Sequence, residues 1–367
     1  MTIETKNLSA TLYGAGDLRM KKRIIVDSLS IEVQVNVRAT GICGSDLHYY
    51  ASGRMGSRVL EASQSMILGH ESSGVVTKIG SGVTRVAVGD RVVIEPGKAC
   101  HVCPRCKEGR YNLCSKMAFA SSLIRGPNDG SLREYVCYPE HLCHPMPETM
   151  TFEQGALIEP LSVAVHAVSR TPLTKGSNAV VIGAGAVGLL VSAVAYAEGA
   201  TQCTILDINS DRLAFAEKYL PGIRTIQLDM KKEPDSVQSP LDWAADQVPL
   251  LGIDRDTVDV VYECTGVETS VALAVHLSRP GGTAMLIGMG KGRCVIPTEL
   301  VTMQEINLLG TFRYCHSHAK AIELVNQGKV STEGLVTHRF ALKNAADAFA
   351  MAKSAQKGVI KVQIGDF

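Results

Sequence analysis

A glycine pattern in the middle of the chain constrains the fold more than any other feature. Ala179–Ile182 predicts a short buried strand, and an apolar helical stretch begins at Leu189. Between them lies the motif Gly183-x-Gly185-x-x-Gly188. In such a unit the first glycine permits a tight turn, the second lets the backbone approach a pyrophosphate, and the third lets helix and strand pack closely. The stretch therefore predicts a dinucleotide-binding α/β domain with a parallel sheet.

The strand that follows supports this interpretation. Cys203–Leu206 is short and apolar and leads into Asp207, about 20 residues after the glycines, a spacing at which a carboxylate reaches the adenosine ribose hydroxyls. A membrane span is the alternative, since no charge occurs from Ala179 to Ala197. Three glycines and an immediate return to a polar strand argue against a span, which needs about 20 predominantly apolar residues in one helix.

Composition narrows the function classes. At 367 residues the chain is long enough for two domains. Lys plus Arg number 37 against 36 Asp plus Glu, so no excess charge attracts nucleic acid or an anionic membrane. The N-terminal segment has no uninterrupted apolar region, so we expect no signal peptide or membrane anchor and a cytoplasmic location. In that reducing compartment the 11 cysteines are expected to be thiols or metal ligands.

The first part of the chain is β-rich and contains three candidate metal ligands. Ile31–Ala39 alternates like a strand, and Gly74–Val93 contains two more apolar runs. Cys43 follows the first of these strands, and His70 and Glu71 stand between the two segments. A single cysteine or histidine is more often structural, but these side chains occur together on turns at predicted strand ends, upstream of a dinucleotide fold. We therefore expect them to form a functional site.

A cysteine quartet is the sharpest local pattern, formed by Cys100, Cys103, Cys106 and Cys114. Thiolates repel one another unless a cation lies among them, and zinc accepts four sulfurs tetrahedrally at about 2.3 Å. Such a site leaves no ligand position for substrate, which predicts a structural role. An iron–sulfur cluster is the alternative, and the colour of the purified protein would distinguish the two. The six cysteines other than Cys43 and this quartet show no ligand spacing and are expected to be small buried hydrophobes.

Together these motifs resemble the zinc-containing medium-chain alcohol dehydrogenase superfamily. Its zinc signature corresponds to Gly69-His70-Glu71-x2-Gly74-x5-Gly80-x2-Val83, its strand motif to Gly89-Asp90-Arg91-Val92, and its structural lobe to the cysteine quartet. Within it the chain is similar to the sorbitol dehydrogenase branch, which includes fungal xylitol and L-arabinitol dehydrogenases. The segments that carry this likeness are GICGSDLHYY, IEPG at Glu95, GRYNLC ending at Cys114, GALIEPLSVAVHA around Glu159, ECTG at 263–266, FRYC at 312–315 and VTHRF at 336–340.

The resemblance covers nearly the whole chain, with two departures. Arg58–Met66 looks slightly longer than usual, and Met230–Asp256 looks like an insertion-bearing helical region. The substrate also stays open within the branch, because sorbitol, xylitol, L-arabinitol and galactitol share the reacting diol.

The resemblance implies two domains. Residues 1–158 and 300–367 would form a GroES-like catalytic domain, with a structural zinc lobe at about 95–118, and residues 159–299 would form a Rossmann domain that binds NAD. Apolar runs that predict further buried strands of that sheet are Val258–Tyr262, Ala284–Ile287 and Asn307–Gly310.

A catalytic zinc ion is implied as well. Cys43, His70 and Glu71 would supply one sulfur, one nitrogen and one oxygen and leave one position open. Glu159 is a second carboxylate, placed where typical alcohol dehydrogenases carry a cysteine ligand. Whether Glu71 or Glu159 binds the ion directly is an open alternative. Zinc lowers the pKa of a bound hydroxyl group by several units, so alcohol oxidation near neutral pH is expected.

The remaining site residues follow from the same resemblance. Two residues near Cys43 are expected to relay the proton, Ser45 and His48; a solvated turn histidine is the alternative for His48. Substrate contacts would be Tyr49, Phe119, Glu159, Arg313 and Tyr314. A polyol offers a row of hydroxyls, which suits a guanidinium and tyrosine hydroxyls. The residues implied around NAD are Gly183, Gly185, Val187, Gly188, Asp207, Arg212, Ile287, Gly288, Met289, Thr311, Phe312 and Arg313.

Other classes remain possible at this point. A small-molecule polyol is the expected partner and a homotetramer or homodimer the expected assembly, with no nucleic acid and no membrane. Another polyol dehydrogenase, or a secondary-alcohol dehydrogenase of the butanediol type, is the nearest alternative. A zinc-free quinone reductase on the same fold would lack the zinc ligands and use NADPH, which Asp207 disfavours. A non-catalytic dinucleotide-binding protein would have no need of an intact Cys43, His70 and Glu71.

Overall fold

Two compact units make up the chain. The first comprises residues 1–159, 318–327 and 332–367, and the second comprises residues 160–317 and 328–331. The parts of the chain that the computed structural model describes are residues 6–24, 30–229, 239–290, 292–354 and 356–366.

Strands and helices are numbered along the chain. The strands are β1 (Lys6–Gly14), β2 (Asp17–Ile24), β3 (Glu32–Gly41), β4 (Arg54–Met55), β5 (Arg58–Val59), β6 (Met66–Ile67), β7 (Glu71–Ile79), β8 (Arg91–Ile94), β9 (Gly97–Lys98), β10 (Ala118–Phe119), β11 (Tyr135–Pro139), β12 (Cys143–Pro145), β13 (Asn178–Ile182), β14 (Gln202–Asp207), β15 (Arg224–Gln227), β16 (Val260–Glu263), β17 (Thr283–Leu286), β18 (Asn307–Gly310), β19 (Val336–Phe340) and β20 (Lys361–Gly365). The α-helices are α1 (Gly44–Ser52), α2 (Pro104–Lys107), α3 (Phe152–Ala156), α4 (Ile158–Ser169), α5 (Ala186–Ala197), α6 (Ser210–Tyr219), α7 (Pro240–Gln247), α8 (Glu268–Leu277), α9 (Thr298–Met303), α10 (His318–Asn326) and α11 (Ala345–Lys353). Single 3-10 turns occur at Tyr111–Leu113, Glu140–Leu142, Val248–Leu250, Arg255–Thr257 and Leu342–Asn344.

The first unit is organised around β3. Its seven-stranded sheet runs in the order β12-β8-β7-β3-β20-β19, and β11 pairs with the first half of β3. The alternation predicted for this segment is present, because Val33 and Val35 point into a fully buried cluster with Val76 and Val92. At the other end of β3, Gly41 lies opposite Glu71 of β7 and Gln363 of β20.

The second unit is the predicted parallel α/β domain. Its six strands pair in parallel in the order β15-β14-β13-β16-β17-β18, which is the 3-2-1-4-5-6 order of the doubly wound dinucleotide-binding fold. Strands buried on both faces need continuous apolar runs, and Val180, Val181 and Ile182 are accordingly at most 1% exposed. All six carboxyl ends lie at one edge of the sheet because every pair is parallel.

The position of residues 300–317 differs from the sequence-based prediction, which assigned them to the same domain as residues 1–158. They lie in the second unit because β18 pairs with β17, and because Leu300, Val301 and Leu308 pack on the core of the parallel sheet. Of the segment Met230–Asp256, residues 230–238 lie outside the described residues, and the rest forms α7 and two 3-10 turns.

No helix among the described residues combines the length and apolar character needed to cross a bilayer. The helix after the glycine motif, α5, has 12 residues.

Candidate active site

Three side chains of types that can bind a metal come together in the first unit. Cys43 directly precedes α1, His70 precedes β7, and Glu71 is the first residue of β7. The Sγ atom of Cys43, a ring nitrogen of His70 and a carboxylate oxygen of Glu71 all lie within 4.8 Å of one another. His70 and Glu71 are 5% and 1% exposed. A thiol, an imidazole and a carboxylate are the donor types that zinc accepts, so the chemistry of this set fits a zinc ion.

Asp46 orients two of these residues, and sequence reasoning missed it. Its carboxylate accepts the Cys43 N–H at 3.2 Å, which caps α1, and its Oδ1 faces His70 Nδ1 at 3.5 Å. The Gly69 N–H and the Ser121 hydroxyl also donate to it, at 3.2 Å and 2.5 Å. Burial would raise the pKa of Asp46, but the charge of His70 and the hydrogen bonds from His70, Ser121 and Gly69 together outweigh burial and lower it. An ionised carboxylate behind a metal-binding histidine fixes the ring orientation.

The protonation of His70 is tied to the same neighbours. Burial would lower its pKa, but the charges of Asp46 and Cys43 raise it well above the usual value. Zinc binds the neutral imidazole, so loading the site would release the proton that His70 otherwise holds.

Lys361 was also absent from the predicted site. It forms a buried ion pair with Glu71, and the two side chains are 5% and 1% exposed. Burial would lower the pKa of Lys361, but the negative charges of Glu71 and Cys43 raise it, with a smaller contribution from Glu159. In the sequence, Lys361 and Gln363 alternate with the apolar Val362 and Ile364, which is typical of a strand with one solvent-exposed face, and only the structure shows that both polar side chains are buried. Buried polar residues on one face of a strand need partners.

Glu159 is placed differently from Glu71. It lies in the first turn of α4, 4% exposed, and its charge acts on Lys361. The donor group that includes Cys43 and His70 contains Glu71 and not Glu159. The glycine at position 41 leaves room for the Glu71 carboxylate, because a Cβ atom on Gly41 would lie 2.0 Å from Glu71 Oε2.

The other predicted catalytic and substrate residues of the first unit lie on α1 and in β10. Ser45 is half-buried and His48 exposed, three residues apart on α1. Phe119 places its ring centroid 5.4 Å from that of His70. Tyr49 is 3% exposed and its hydroxyl accepts the Leu123 N–H at 3.1 Å, which leaves the hydroxyl proton available for donation. Their roles stay predictions.

The cysteine quartet is assembled around α2. All four Sγ atoms lie within 4.8 Å of one another, and the Cys103–Cys106 and Cys100–Cys114 pairs are each 3.5 Å apart. Hydrogen bonds from the N–H groups of Val102 and Cys103 lower the pKa of Cys100 to about 6. Burial and the neighbouring sulfurs Cys103 and Cys114 raise the pKa of Cys106 to about 12. A cation among the four sulfurs would remove that repulsion, so the set fits the predicted structural zinc.

In the second unit, the glycine motif has the predicted conformation. Gly183 has φ 104°, which favours glycine, and Gly185 directly precedes α5. A Cβ atom on Gly188 would lie 1.8 Å from the Gly183 carbonyl oxygen. The chain therefore passes from β13 into α5 by a turn that leaves helix N–H groups free for a pyrophosphate.

Asp207 holds the glycine turn against the end of β14. Its carboxylate accepts the Ala184 N–H at 2.6 Å and the Asn209 N–H at 2.8 Å. Two carboxylate oxygens offer about four acceptor positions, so both can still accept hydrogen bonds from ribose hydroxyls. Asn209 caps α6, which carries Arg212 in its first turn.

The remaining cofactor residues lie at the same edge of the parallel sheet. Val187 lies in the first turn of α5. Ile287–Met289 follow β17, and Thr311–Arg313 follow β18. Gly288 is required sterically, because a Cβ atom there would lie 2.0 Å from the Gly266 nitrogen. The buried Glu263 carboxylate accepts the Thr265 and Gly266 N–H groups and fixes this neighbouring loop.

Comparisons with known proteins agree with both halves of this description. The family model described as "Alcohol dehydrogenase GroES-like domain" matches residues 30–148, and that described as "Zinc-binding dehydrogenase" matches residues 186–327. D-xylulose reductase A of Aspergillus oryzae is 42% identical over 96% of this chain and 95% of its own length, and L-arabinitol 4-dehydrogenase of Aspergillus oryzae is 42% identical over 91% and 86%. The crystal structure of 2R,3R-butanediol dehydrogenase from Bacillus subtilis superposes with a TM-score of 0.82 at 29% identity, covering 98% of this chain and 99% of the other. The chain therefore belongs to the zinc-binding dehydrogenase family.

Proposed function

We propose that the protein oxidises a sugar alcohol of the xylitol, L-arabinitol or sorbitol type to the ketose, with hydride transfer to NAD. The observation that carries the proposal is the convergence of Cys43, His70 and Glu71 within 4.8 Å in a chain that is 42% identical to D-xylulose reductase A. A zinc ion supplies a Lewis acid that acidifies an alcohol hydroxyl, and NAD supplies the hydride acceptor. The alcohol thus loses one hydride to the nicotinamide and one proton to solvent.

The chain's own residues would position the reactants and move that proton. Cys43, His70 and Glu71 hold the metal, and Phe119 covers the His70 ring and helps exclude water. Ser45 and His48 are three residues apart, so both lie on one side of α1. A proton from the substrate hydroxyl would pass to Ser45 Oγ and then to the exposed His48 imidazole, which delivers it to bulk water.

Arg313 is the residue we assign to the non-reacting hydroxyls, together with Tyr49, Glu159 and Tyr314. Its backbone has φ 52°, a left-handed conformation that is uncommon for an arginine. Its guanidinium lies 4.7 Å from the centre of the Phe312 ring, which restricts its orientation. Backbone strain at a polar residue on a loop favours a functional role over a structural one.

The NAD preference rests on Asp207. Its carboxylate would repel a 2'-phosphate and accept hydrogen bonds from a free ribose. We also propose that the protein is cytoplasmic and forms a homotetramer or homodimer, and that the first unit acts as the catalytic part and the second unit as the NAD-binding part.

A substrate panel tests the proposal. Initial rates of NADH formation would be measured with xylitol, L-arabinitol, sorbitol and galactitol, and with 2,3-butanediol as the simple secondary alcohol. We expect the highest kcat/KM with one of the pentitols or sorbitol. The similarity to butanediol dehydrogenase makes a secondary-alcohol dehydrogenase the second candidate, and a higher kcat/KM with butanediol than with every polyol would establish it instead. No NADH formation from any of these alcohols by zinc-loaded protein would refute both.

A further inference from the structure

A third group of side chains that can bind a metal lies in the first unit and shares no residue with the two groups described above. It consists of Glu95, directly after β8, His144 in β12, and His318, the first residue of α10. Strands β8 and β12 are paired, which brings the first two residues together. Glu95 Oε2 is 2.8 Å from His144 Nε2 and 3.6 Å from His318 Nδ1.

Both histidine rings present a nitrogen to the same carboxylate oxygen. The rings are stacked, with centroids 5.1 Å apart and planes inclined by 17°. Nitrogen and oxygen ligands at about 2.0–2.2 Å from one tetrahedral zinc ion are about 3.3–3.6 Å apart. The Glu95–His318 distance of 3.6 Å lies in that range, whereas the Glu95–His144 distance of 2.8 Å is that of a hydrogen bond, which an ion between the two side chains would lengthen. The cysteine quartet is contracted in the same way, since its sulfurs are 3.5 Å apart where a zinc ion would separate them by about 3.8 Å.

The charge states also suit a cation. Burial would raise the pKa of Glu95, but the hydrogen bond with His144 and the other neighbours outweigh burial and lower it to about 2. Burial lowers the pKa of His318 to about 3, so this imidazole is neutral, the form that binds metals. The side chain of His318 is fully buried, whereas that of His144 is 19% exposed and gives the cluster an opening to solvent.

A supporting hydrogen bond completes the arrangement. The Tyr111 hydroxyl donates to Glu95 Oε1 at 2.7 Å, which leaves Oε2 directed at the two histidines. Carboxylates that bind metals are commonly held in this way by a second residue. Tyr111 lies in the turn that leads to Cys114, so the cluster adjoins the cysteine lobe.

We propose that Glu95, His144 and His318 bind a third divalent ion of the zinc class, distinct from the Cys43 site and the cysteine quartet. The ion joins the end of β8, strand β12 and the start of α10, and through Tyr111 it connects them to the cysteine lobe. Its role is structural, because none of its ligands belongs to the proposed catalytic group.

Metal counting of the purified, dialysed protein tests this proposal. We expect three zinc ions per chain, or two with a third taken up stoichiometrically when zinc is added. His144→Phe should remove one ion and leave two, while His141→Phe, three residues away and outside the cluster, should leave the count unchanged. Two ions in the wild type with no stoichiometric uptake of a third, or an equal count in wild type and His144→Phe, would overturn the proposal.

Cobalt provides a test that needs no variant, should His144→Phe fail to fold. Cobalt would be added to wild-type protein from which dialysis against a mild chelator has removed the third ion, with metal counting confirming that the cysteine sites still hold zinc. A third site made of nitrogen and oxygen should give cobalt d–d bands without the sulfur-to-cobalt charge-transfer band of thiolate sites. Absence of such bands at saturating cobalt would mean that the cluster is a hydrogen-bonded network only.

Discussion

Lys361→Met removes the positive charge that faces Glu71. When no zinc is bound at the Cys43 site, this change should substantially lower the unfolding free energy of the first unit. Both side chains are buried, with 5% and 1% exposed, so solvent cannot replace the lost partner. Removing one member of a buried ion pair typically costs about 3–5 kcal/mol, because the other charge is left uncompensated. Since about 1.4 kcal/mol is a factor of ten, the unfolding equilibrium constant should rise by roughly two to more than three orders of magnitude.

The loss should be smaller when zinc is bound. A zinc ion held by Cys43 and His70 offers Glu71 a new partner, so zinc affinity at this site should be higher in Lys361→Met than in the wild type. The double variant Glu71→Gln/Lys361→Met removes both charges and should be more stable than Lys361→Met alone in the metal-free state. With the wild type and the single variant Glu71→Gln it completes a double-mutant cycle, which gives the coupling energy of the ion pair.

The assay must report on the first unit. Trp243, the only tryptophan, lies in the core of the second unit, so tryptophan fluorescence would follow the wrong part of the chain. Hydrogen exchange of peptides from β7 and β20 reports the opening free energy of the two strands that carry Glu71 and Lys361. A chelator mild enough to leave the cysteine quartet loaded, as checked by metal counting, would prepare the zinc-free site. If Lys361→Met lowers the unfolding free energy of the zinc-free protein by less than about 1 kcal/mol, the pair behaves like a solvent-exposed one and the reasoning is refuted.

Three further predictions concern the other sites. Arg313→Leu should lower kcat/KM for xylitol or sorbitol by roughly tenfold to a few hundredfold, because an unpaired polar group costs about 1–3 kcal/mol. The kcat/KM for a simple secondary alcohol should change much less, and equal losses on both substrates would mean that Arg313 positions the nicotinamide. Asp207→Ser should raise kcat/KM with NADP relative to NAD, and comparable efficiency of the wild type with both cofactors would contradict the role of Asp207. Cys103→Ser should remove one zinc ion and lower the melting temperature, whereas mild chelation of the wild type should abolish activity with the fold intact.

The features that the sequence predicted are those encoded by short segments. The glycine motif, the β13 and α5 elements around it and Asp207 lie within 30 residues of one another, so spacing alone indicated their arrangement. The cysteine quartet is likewise contained within a short segment. Cys43 and His70 were grouped because both stand on turns at predicted strand ends, but the sequence could not show how close they lie, since their proximity depends on the pairing of β3 with β7.

The features that the sequence did not predict depend on contacts between distant segments. Glu71 and Lys361 lie on β7 and β20, the two strands that flank β3 in the sheet. No local sequence pattern encodes that strand order. The cluster of Glu95, His144 and His318 draws on three segments in the same way. The boundary near residue 300 came from the family resemblance, whereas the local apolar pattern had already predicted Asn307–Gly310 as a strand of the second sheet, where β18 pairs with β17.

The register of three neighbouring antiparallel strands accounts for the composition of the proposed metal site. A strand's antiparallel neighbours begin where that strand ends, so Gly41 at the end of β3 lies opposite Glu71 at the start of β7 and Gln363 near the start of β20. The Lys361 side chain reaches the same place, since a Cβ atom on Gly41 would lie 2.9 Å from its Cε. Cys43 follows β3 at this same end. Side chains alternate along a strand, so a shift of β20 by one residue would turn Lys361 toward the opposite face and bring an apolar residue to Glu71. The fully buried Val362 and Ile364 oppose such a shift, because both would lose their places in the apolar core. Burial of the apolar side chains on one face of β20 thus determines which side chain of the other face lies beside Glu71, and that side chain is the positively charged Lys361.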